Sequence, residues 1–392
     1  MKIAQVAPLR ESIPPQRHGG TERVVSYLTE ELVRLGHDVT LFAAGDSSTS
    51  AALSSACSFS LRSTPKILYP DAPWSLLLER AFGTYAEDFD LIHSHIDLLG
   101  FPLARRCPTP VLTTFYGRLD LPELIPVFEQ FSELPVVSVS EAQRGPIPWI
   151  NWQNTIHPGL PRSLYSMHPN LGRYLAFLGR ISPDRGVEQA IELAKRADMP
   201  IRIAARVDPA DRNYFEHIAP LFEHPLVEYV GEVTDGEKDD FLGEAYALIY
   251  PVDRPDPFGL VLIEALACGT PVLAYRRGGV SEIVDHGSTG YFSDTLEEMA
   301  HTVAWVPNID RRCCRSAFED RFTVERMVQD YLLLYQRSMH KRNDRSAGFG
   351  SRPSPCSATC NSRWPRRMPK PSRDPIPSFA SVRTQCSASP SE

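Results

Sequence analysis

Long uncharged apolar runs are absent from this chain of 392 residues. The longest candidate, Gly259 to Tyr275, is interrupted by a glutamate and ends in Gly-Thr-Pro. A helix that crosses a membrane needs about 20 consecutive apolar residues, so no such helix is expected. The opening residues, Met1 to Ala7, are too short and too soon polar for a signal peptide, and they are typical of a buried strand. These features predict a cytoplasmic protein with at most peripheral membrane contact.

Cysteines at metal-binding spacing are absent from the first 340 residues. The cysteines there are scattered, at Cys57, Cys107, Cys268, Cys313 and Cys314. This distribution favours a reduced setting, and no metal ion or cofactor is expected. His93 and His95 share one face of a predicted strand, where a hydrogen-bonded pair is favoured over a pair of metal ligands.

Positive charge is scarce in the first 340 residues, which carry 31 Lys or Arg against 45 Asp or Glu, a net charge of −14. An acidic body argues against nucleic-acid binding as the main activity. Residues 341–392 differ, with ten basic and three acidic residues, eleven Ser and eight Pro. So few apolar residues predict a disordered basic tail. Such a tail is either an anchor for acidic lipid or an extension without a role.

Apolar residues make up 42% of the chain and charged residues 23%, which is typical of a globular protein. The length favours two domains. In the first half, a helix over Thr21–Leu35 is predicted, with Val24, Val25, Leu28, Leu32 and Leu35 on its buried face. Short β-branched runs predict strands at Ile3–Ala7, Val39–Ala44, Leu91–Ser94, Val111–Phe115 and Pro135–Ser138. This strand–helix–strand order predicts a mostly parallel sheet covered on both faces.

The same pattern restarts after a Pro- and Gly-containing segment, Asn154–Asn170, which we interpret as a hinge. Strands are predicted at Tyr174–Leu178, Ile201–Ala205, Leu226–Val230, Ala247–Tyr250 and Pro271–Ala274. Helices are predicted at Gly186–Arg196, Lys238–Ala245, Leu260–Ala267, Leu296–Thr302 and Thr323–Met339, the last with core candidates Val324, Met327, Leu332 and Leu333. The sequence therefore predicts two doubly wound, Rossmann-like α/β domains, at residues 1–168 and 169–340, that face a cleft.

The residues with the clearest chemical meaning follow the predicted strand Ala247–Tyr250. Ligands of open α/β sheets bind beyond the carboxyl ends of the strands. Phe258, Gly259 and Leu260 would present backbone N–H groups at a helix start, where an anion is stabilised. Glu264 interrupts a buried apolar run and needs a partner, and its carboxylate can accept two hydrogen bonds from a diol such as ribose. A carboxylate before the helix, Asp256, could bind sugar hydroxyls.

The segment Asp256–Val272 resembles the signature of the retaining group-one glycosyltransferases (family four, GT-B fold). That signature is Glu-x7-Glu followed by Ala-Cys/Ala-Gly-x-Pro-Val. Further stretches that resemble the family occur in the same order, at His18–Glu22, Phe177–Gly186, Gly278–Val284 and Gly287–Tyr291. The resemblance covers about residues 1 to 338, and it implies a final helix that crosses back onto the first domain.

The resemblance also implies roles for residues around the cleft. Arg180 and Arg185 would stabilise the negative charge that develops on the β-phosphate when a nucleoside diphosphate leaves. Gly19 and Gly20 would add backbone N–H groups from the first domain. Phe258, Gly259, Leu260 and Glu264 would hold the donor, together with Arg206 and Val233 at the ends of neighbouring strands.

The implied reaction is transfer of a sugar from a UDP-, GDP- or ADP-sugar to a carbohydrate, lipid or small-molecule acceptor, with retention and without a metal ion. The leaving diphosphate would help to deprotonate the acceptor, so no side-chain base is required.

Four positions depart from the family pattern. Tyr116 stands on the sugar-facing wall where His is common, and Asp256 replaces the first Glu of the signature. Arg185 stands where Lys is usual, and Ala205-Arg206 where Gly-Lys is frequent; Arg keeps the charge but changes the contact geometry. Two alternatives therefore stay open: a catalytically drifted GT-B binding protein, and another GT-B enzyme such as a sugar-nucleotide epimerase or a phosphorylase.

Overall fold

The computed structural model describes residues 1–16, 19–64 and 67–347, with side chains up to residue 340. Met1–Ala347 form one compact unit. The tail predicted from residue 341 begins inside the last helix, which runs to Ala347, so the prediction of disorder is wrong for residues 341–347. From Gly348 onward the predicted tail lies outside the described residues.

The first sheet has seven parallel strands in the order β3-β2-β1-β4-β5-β6-β7. They are β1 (Lys2–Val6), β2 (Asp38–Ala43), β3 (Ala52–Ser55), β4 (Leu91–Ser94), β5 (Val111–Thr114), β6 (Val136–Ser138) and β7 (Trp152–Thr155). The helices of this half are α1 (Gly20–Arg34), α2 (Asp71–Glu79), α3 (Phe101–Ala104) and α4 (Ile125–Gln130). The strand order reverses between β1 and β4, which opens a crevice at their carboxyl ends.

The second sheet has six parallel strands in the order β10-β9-β8-β11-β12-β13. They are β8 (Tyr174–Ile181), β9 (Ile201–Val207), β10 (Val227–Gly231), β11 (Ala245–Tyr250), β12 (Val272–Tyr275) and β13 (Gly290–Ser293). Its helices are α5 (Val187–Arg196), α6 (Arg212–Ile218), α7 (Asp235–Gly243), α8 (Leu260–Ala267), α9 (Val280–Ile283), α10 (Leu296–Val303) and α11 (Arg311–Arg321). Here the order reverses between β8 and β11. The two doubly wound domains predicted from the sequence are confirmed.

Strands β8 and β9 run past the ends predicted from their apolar residues. Gly179 pairs with Ala205, Arg180 with Arg206, and Ile181 with Val207. Parallel backbone pairing therefore continues after the apolar run has ended, and it sets two arginines side by side at the edge of the cleft.

Three edge strands, β3, β7 and β13, were not predicted. β3 and β7 contain no buried residue and few apolar ones, so neither has the apolar run of a central strand. β7 also includes the first two residues of the segment predicted as a hinge, Asn154–Asn170. β13 begins at Gly290, inside a stretch that was predicted only as a family motif.

The last helix, α12 (Val324–Ala347), crosses back onto the first domain, as predicted. Met327, Val328, Tyr331 and Tyr335 pack into one core with residues of α1 and β4. The choice of Leu333 as a core residue was wrong, because its side chain is 55% exposed. Leu35, predicted on the buried face of α1, is likewise exposed because it follows the last residue of the helix.

Two passes of the chain join the domains, and they lie side by side. The Leu160 N–H donates to the Phe322 carbonyl at 2.9 Å, and the Val324 N–H donates to the Leu160 carbonyl at 2.9 Å. A Cβ on Gly159 would come within 2.2 Å of the Thr323 carbonyl oxygen. Glycine is therefore required where the two passes approach each other. In the part of the chain described here, no helix has the length and apolarity needed to span a bilayer.

Candidate active site

A cavity of about 470 Å³ opens between the two domains, at the carboxyl ends of both sheets. All of the site residues predicted from the sequence line it: Gly19, Gly20, Tyr116, Arg180, Arg185, Arg206, Val233, Asp256, Phe258, Gly259, Leu260 and Glu264. The structure thus places these residues together, while the role of each stays a prediction.

Asp256 is held in place by two donors from the second domain. Arg185 Nη1 lies 2.5 Å from Asp256 Oδ2, and the Tyr250 hydroxyl donates to the same oxygen at 2.5 Å. Burial and the neighbouring carboxylate raise the pKa of Tyr250 well above its usual value, so its hydroxyl stays protonated. A carboxylate with two such partners is an acceptor of fixed orientation, suited to binding a hydroxyl group.

The remaining cations of the cavity also have carboxylate partners. Arg180 lies 3.6 Å from Asp184, 3.6 Å from Asp208 and 3.4 Å from Asp211. Arg206, next to Arg180 in the sheet, forms an ion pair with Asp208. The Arg180 side chain is 45% exposed. Because its partners are more than 3 Å away in solvent, it can turn to a bound anion at low cost.

Helix α8 points its first turn at the cavity. Gly259, just before the helix, has a φ of +83°, a conformation that L-residues with a Cβ adopt only with strain. A Cβ there would also lie 3.0 Å from the Tyr250 hydroxyl. The first N–H groups of a helix have no partners within it, and the helix dipole favours an anion beside them. Gly259, Leu260 and Val261 all line the cavity, so the start of α8 faces it.

Glu264 is buried, with 3% of its surface exposed, and it has charged and neutral partners. Lys238 Nζ lies 2.9 Å from Glu264 Oε1, and the Tyr165 hydroxyl donates to the same oxygen at 3.2 Å. Lys238 also lies 3.4 Å from Asp235, which forms an ion pair with Arg23 of α1. A chain of charges thus spans the cleft from the second domain to the first.

Sequence reasoning missed Lys238 and Arg23, both of which line the cavity. The one local signal was the pattern Thr234-x-x-Glu237, which forms a capping box at the start of α7 and makes Lys238 the fourth residue of that helix. Arg62 lines the cavity as well, paired with Glu11 at 2.7 Å, and no sequence pattern marks it.

The first-domain wall is formed by the start of α1 and by Tyr116, which follows β5. Gly19 has a φ of +144° and precedes α1, so the helix begins at the cavity. The Tyr116 hydroxyl lies 3.0 Å from His95 Nδ1. His93 and His95 are buried and hydrogen-bonded, which confirms their interpretation as a satisfied pair. Within the described residues no group of three His, Cys, Asp or Glu side chains is placed to hold a metal ion.

Two family descriptions match this chain. "Glycosyltransferase Family 4" matches residues 18–152, which hold most of the first sheet. "Glycosyl transferases group 1" matches residues 168–312, which hold the whole second sheet and its side of the cavity. Fold, cavity and matches together define the class of protein. The chain belongs to the group 1 glycosyltransferases and has the GT-B fold.

Among relatives, an uncharacterised glycosyltransferase of Methanocaldococcus jannaschii is 25% identical over 363 residues, which span 79% of this chain and 88% of that protein. An uncharacterised 41.2 kDa protein from the cps region of Klebsiella pneumoniae is 28% identical over 41% of this chain and 46% of its own length. The N-acetyl-alpha-D-glucosaminyl L-malate synthase of Bacillus anthracis is 32% identical over 25% of this chain and 29% of its own. The last two matches thus span less than half of each relative.

Solved structures share the fold at low sequence identity. AviGT4, a glycosyltransferase involved in avilamycin A biosynthesis, superposes with a TM-score of 0.64 at 23% identity and covers 87% of this chain and 98% of its own. Anabaena HepE in complex with UDP and glucose gives 0.67 at 17% identity, over 86% and 99%. The catalytic domain of Arabidopsis thaliana starch synthase IV, bound to ADP and acarbose, gives 0.66 at 13% identity, over 87% and 99%.

Proposed function

We propose that this protein transfers a sugar from a nucleoside diphosphate sugar to a hydroxyl of a carbohydrate, lipid or small-molecule acceptor, with retention of configuration and without a metal ion. One observation carries the proposal: Arg180, Arg185 and the first turn of α8 face the same cavity. Together they offer guanidinium groups and helix-start N–H groups where the charge of a leaving diphosphate would develop.

The donor is oriented by two carboxylates at different depths of the cavity. Glu264, held by Lys238 and Tyr165, would accept hydrogen bonds from the ribose of the nucleotide. Asp256, held by Arg185 and Tyr250, would accept from hydroxyls of the transferred sugar. In this arrangement the diphosphate would lie between the two, against the cations.

We infer retention and metal independence from what Asp256 and the arginines of the cavity can do. Asp256 already accepts from two donors, so it is poorly placed to act as a base. The leaving diphosphate oxygen would instead take the acceptor proton on the face from which it departs. The arginines supply the charge stabilisation that a metal ion would otherwise provide. The UDP complex of HepE and the ADP complex of starch synthase IV support a nucleotide in this cleft.

The test is thermal unfolding of the full chain with UDP, GDP and ADP. A nucleotide at about 100 times its dissociation constant stabilises the folded state by roughly 2.7 kcal/mol, which raises the midpoint by several degrees. Glu264→Gln removes the carboxylate but keeps its size, so the shift should shrink. Glu192→Gln, on the exposed face of α5 and outside the cavity wall, is the matched control and should keep the full shift.

Product analysis follows with the nucleotide sugar whose nucleotide binds. NMR of the anomeric proton should show an α-linked product from an α-linked donor. Inversion would contradict the retaining mechanism. Binding without any turnover of donor would favour the catalytically drifted binding protein. Absence of a thermal shift with all three nucleotides would contradict the proposed donor site.

A further inference from the structure

Charged side chains between α1 and α8 form one connected network along the wall of the cavity. Arg23 of the first domain forms an ion pair with Asp235 at the start of α7. Asp235 Oδ1 lies 3.4 Å from Lys238 Nζ, and the same nitrogen lies 2.9 Å from Glu264 Oε1. Arg23, Lys238 and Glu264 line the cavity. The network therefore joins both domains to the carboxylate that we propose as a ligand of the nucleotide.

Most of this network is withdrawn from solvent, and its charges balance. The side chains of Arg23 and Glu264 are 5% exposed and that of Lys238 is 10% exposed, whereas that of Asp235 is 34% exposed. Two cations thus face two carboxylates. In such surroundings a charge that loses its partner is costly, because water does not replace the partner fully. Loss of one member should therefore make the remaining members pair anew.

Lys238 is the member of the network that has two possible partners. Its ammonium lies between two carboxylates, and its contact with Glu264 is the shorter one, a direct hydrogen bond. Arg23 accounts for this difference, since it already neutralises Asp235. Without Arg23, the Asp235 carboxylate would be the unpaired charge and would attract the ammonium away from Glu264. Arg23 thus determines which carboxylate Lys238 holds.

The network draws its charges from both domains. Arg23 lies in α1, whereas Asp235, Lys238 and Glu264 lie in α7 and α8 of the second domain. Within this network the second domain supplies one cation for two carboxylates, and the first domain supplies the other cation. The charges therefore balance only while the two domains are in contact across the cleft.

We propose that Arg23 is a positioning residue for the donor site: it neutralises Asp235, leaves Lys238 to hold Glu264, and so makes the orientation of Glu264 depend on contact between the domains. This inference rests on the proposed function, in which Glu264 binds the nucleotide. A carboxylate held by a lysine accepts further hydrogen bonds in a fixed direction. In an open cleft Arg23 moves away from Asp235, Lys238 is shared between two carboxylates, and the nucleotide is released more easily.

The test compares nucleotide affinities by calorimetry, with whichever of UDP, GDP and ADP stabilises the chain. Arg23→Gln should weaken binding at least about five-fold, because Lys238 turns to Asp235. Asp235→Asn should bind within about two-fold of the natural chain, since Lys238 keeps Glu264 as its partner. The double variant Arg23→Gln/Asp235→Asn should regain most of the affinity that Arg23→Gln loses, because no second carboxylate then competes for the ammonium.

The unequal effect of the two single variants is the result that a merely structural ion pair would not give. An ion pair that only fastens the domains would weaken binding equally in Arg23→Gln and Asp235→Asn, with no recovery in the double variant. A direct contact of Arg23 with the nucleotide would also leave the double variant weak. Either outcome would overturn the inference and leave the proposed function standing. Absence of binding by the natural chain to all three nucleotides would remove both.

Control variants separate the loss of this charge from general damage. Arg23→Lys keeps the charge and should stay close to the affinity of the natural chain. Arg34→Gln removes an exposed charge from the same helix, outside the cavity wall, and should leave the affinity unchanged. The thermal midpoint without nucleotide shows whether each variant folds. Should Arg23→Gln not fold, Asp235→Asn decides the matter, because a clear loss of affinity in that variant contradicts the inference.

Discussion

At the scale of single residues, the cavity combines arginines with aspartates. Arg206 is paired with Asp208, which also lies 3.6 Å from Arg180. Asp208 lies on the cavity wall, so it occupies the position of an anionic ligand toward both cations. A diphosphate that binds there has to compete with a carboxylate that is already in place.

Removal of that carboxylate should strengthen nucleotide binding. We expect Asp208→Asn to raise the affinity for the nucleoside diphosphate by up to about five-fold, because an ion pair of this kind contributes up to about 1 kcal/mol. Calorimetry at low ionic strength measures the change, and added salt should reduce it. Asp253→Asn removes an exposed partner of Arg277 in the same domain and serves as the control. Weaker binding by Asp208→Asn would mean that Asp208 itself contacts the ligand.

At the scale of elements, the turn before α8 needs glycine for two reasons: its left-handed backbone conformation and the lack of room for a side chain. Gly259→Ala forces a Cβ into left-handed backbone and against the Tyr250 hydroxyl, which holds Asp256. We expect a loss of roughly 1–2 kcal/mol in the free energy of unfolding and a loss of nucleotide binding of ten-fold or more. Chemical denaturation and calorimetry measure the two effects.

Gly287→Ala is the matched control for that turn. Gly287 has a φ of +80°, and an added Cβ would meet nothing within 4 Å. It should lose a similar amount of stability from the backbone alone and keep its nucleotide affinity. Equal binding by the two variants would contradict the anion-binding role of the α8 turn.

The sequence is most informative where local pattern and tertiary structure agree. β4 and α8 have the predicted bounds: β4 is buried throughout and begins with two apolar residues, and α8 is apolar except for Glu264. The donor-side residues could be found because their motif lies on one strand–turn–helix unit. Lys238 and Arg23 could not, because their importance comes from partners far away in the sequence, Glu264 and Asp235. Exposed strands such as β3 and β7 are held by backbone pairing, which leaves no apolar signature.

At the scale of the whole molecule, the two buried histidines of the first domain, His93 and His95, link the stability of the fold to pH. His93 and His95 stay neutral in the folded state because burial lowers the pKa of both, that of His95 to about 3. In the unfolded chain they titrate near 6.5. Stability is therefore complete above that value, and it falls as pH drops below 6.5, because only the unfolded state takes up protons. The loss is about 1.4 kcal/mol per pH unit for each histidine.

Urea denaturation at pH 7.5, 6.5 and 5.5 tests this dependence. His95→Gln should lower stability at pH 7.5 and reduce the pH slope by about one proton. His301→Gln, at an exposed position of α10, should leave the slope unchanged. An unaltered slope in His95→Gln would contradict the assignment of a neutral buried ring.

The two adjacent passes of the chain, at Leu160 and Thr323, determine how a pulling force would be distributed between the two domains. Topologically the second domain is an insertion into the first, since the chain leaves and returns at hydrogen-bonded neighbours. A tensile load applied between β1 and α12 would be carried by the first domain, and the inserted lobe would lie outside the load path. Rotation of the second domain about these two paired passes would open and close the cleft without stretching either connection.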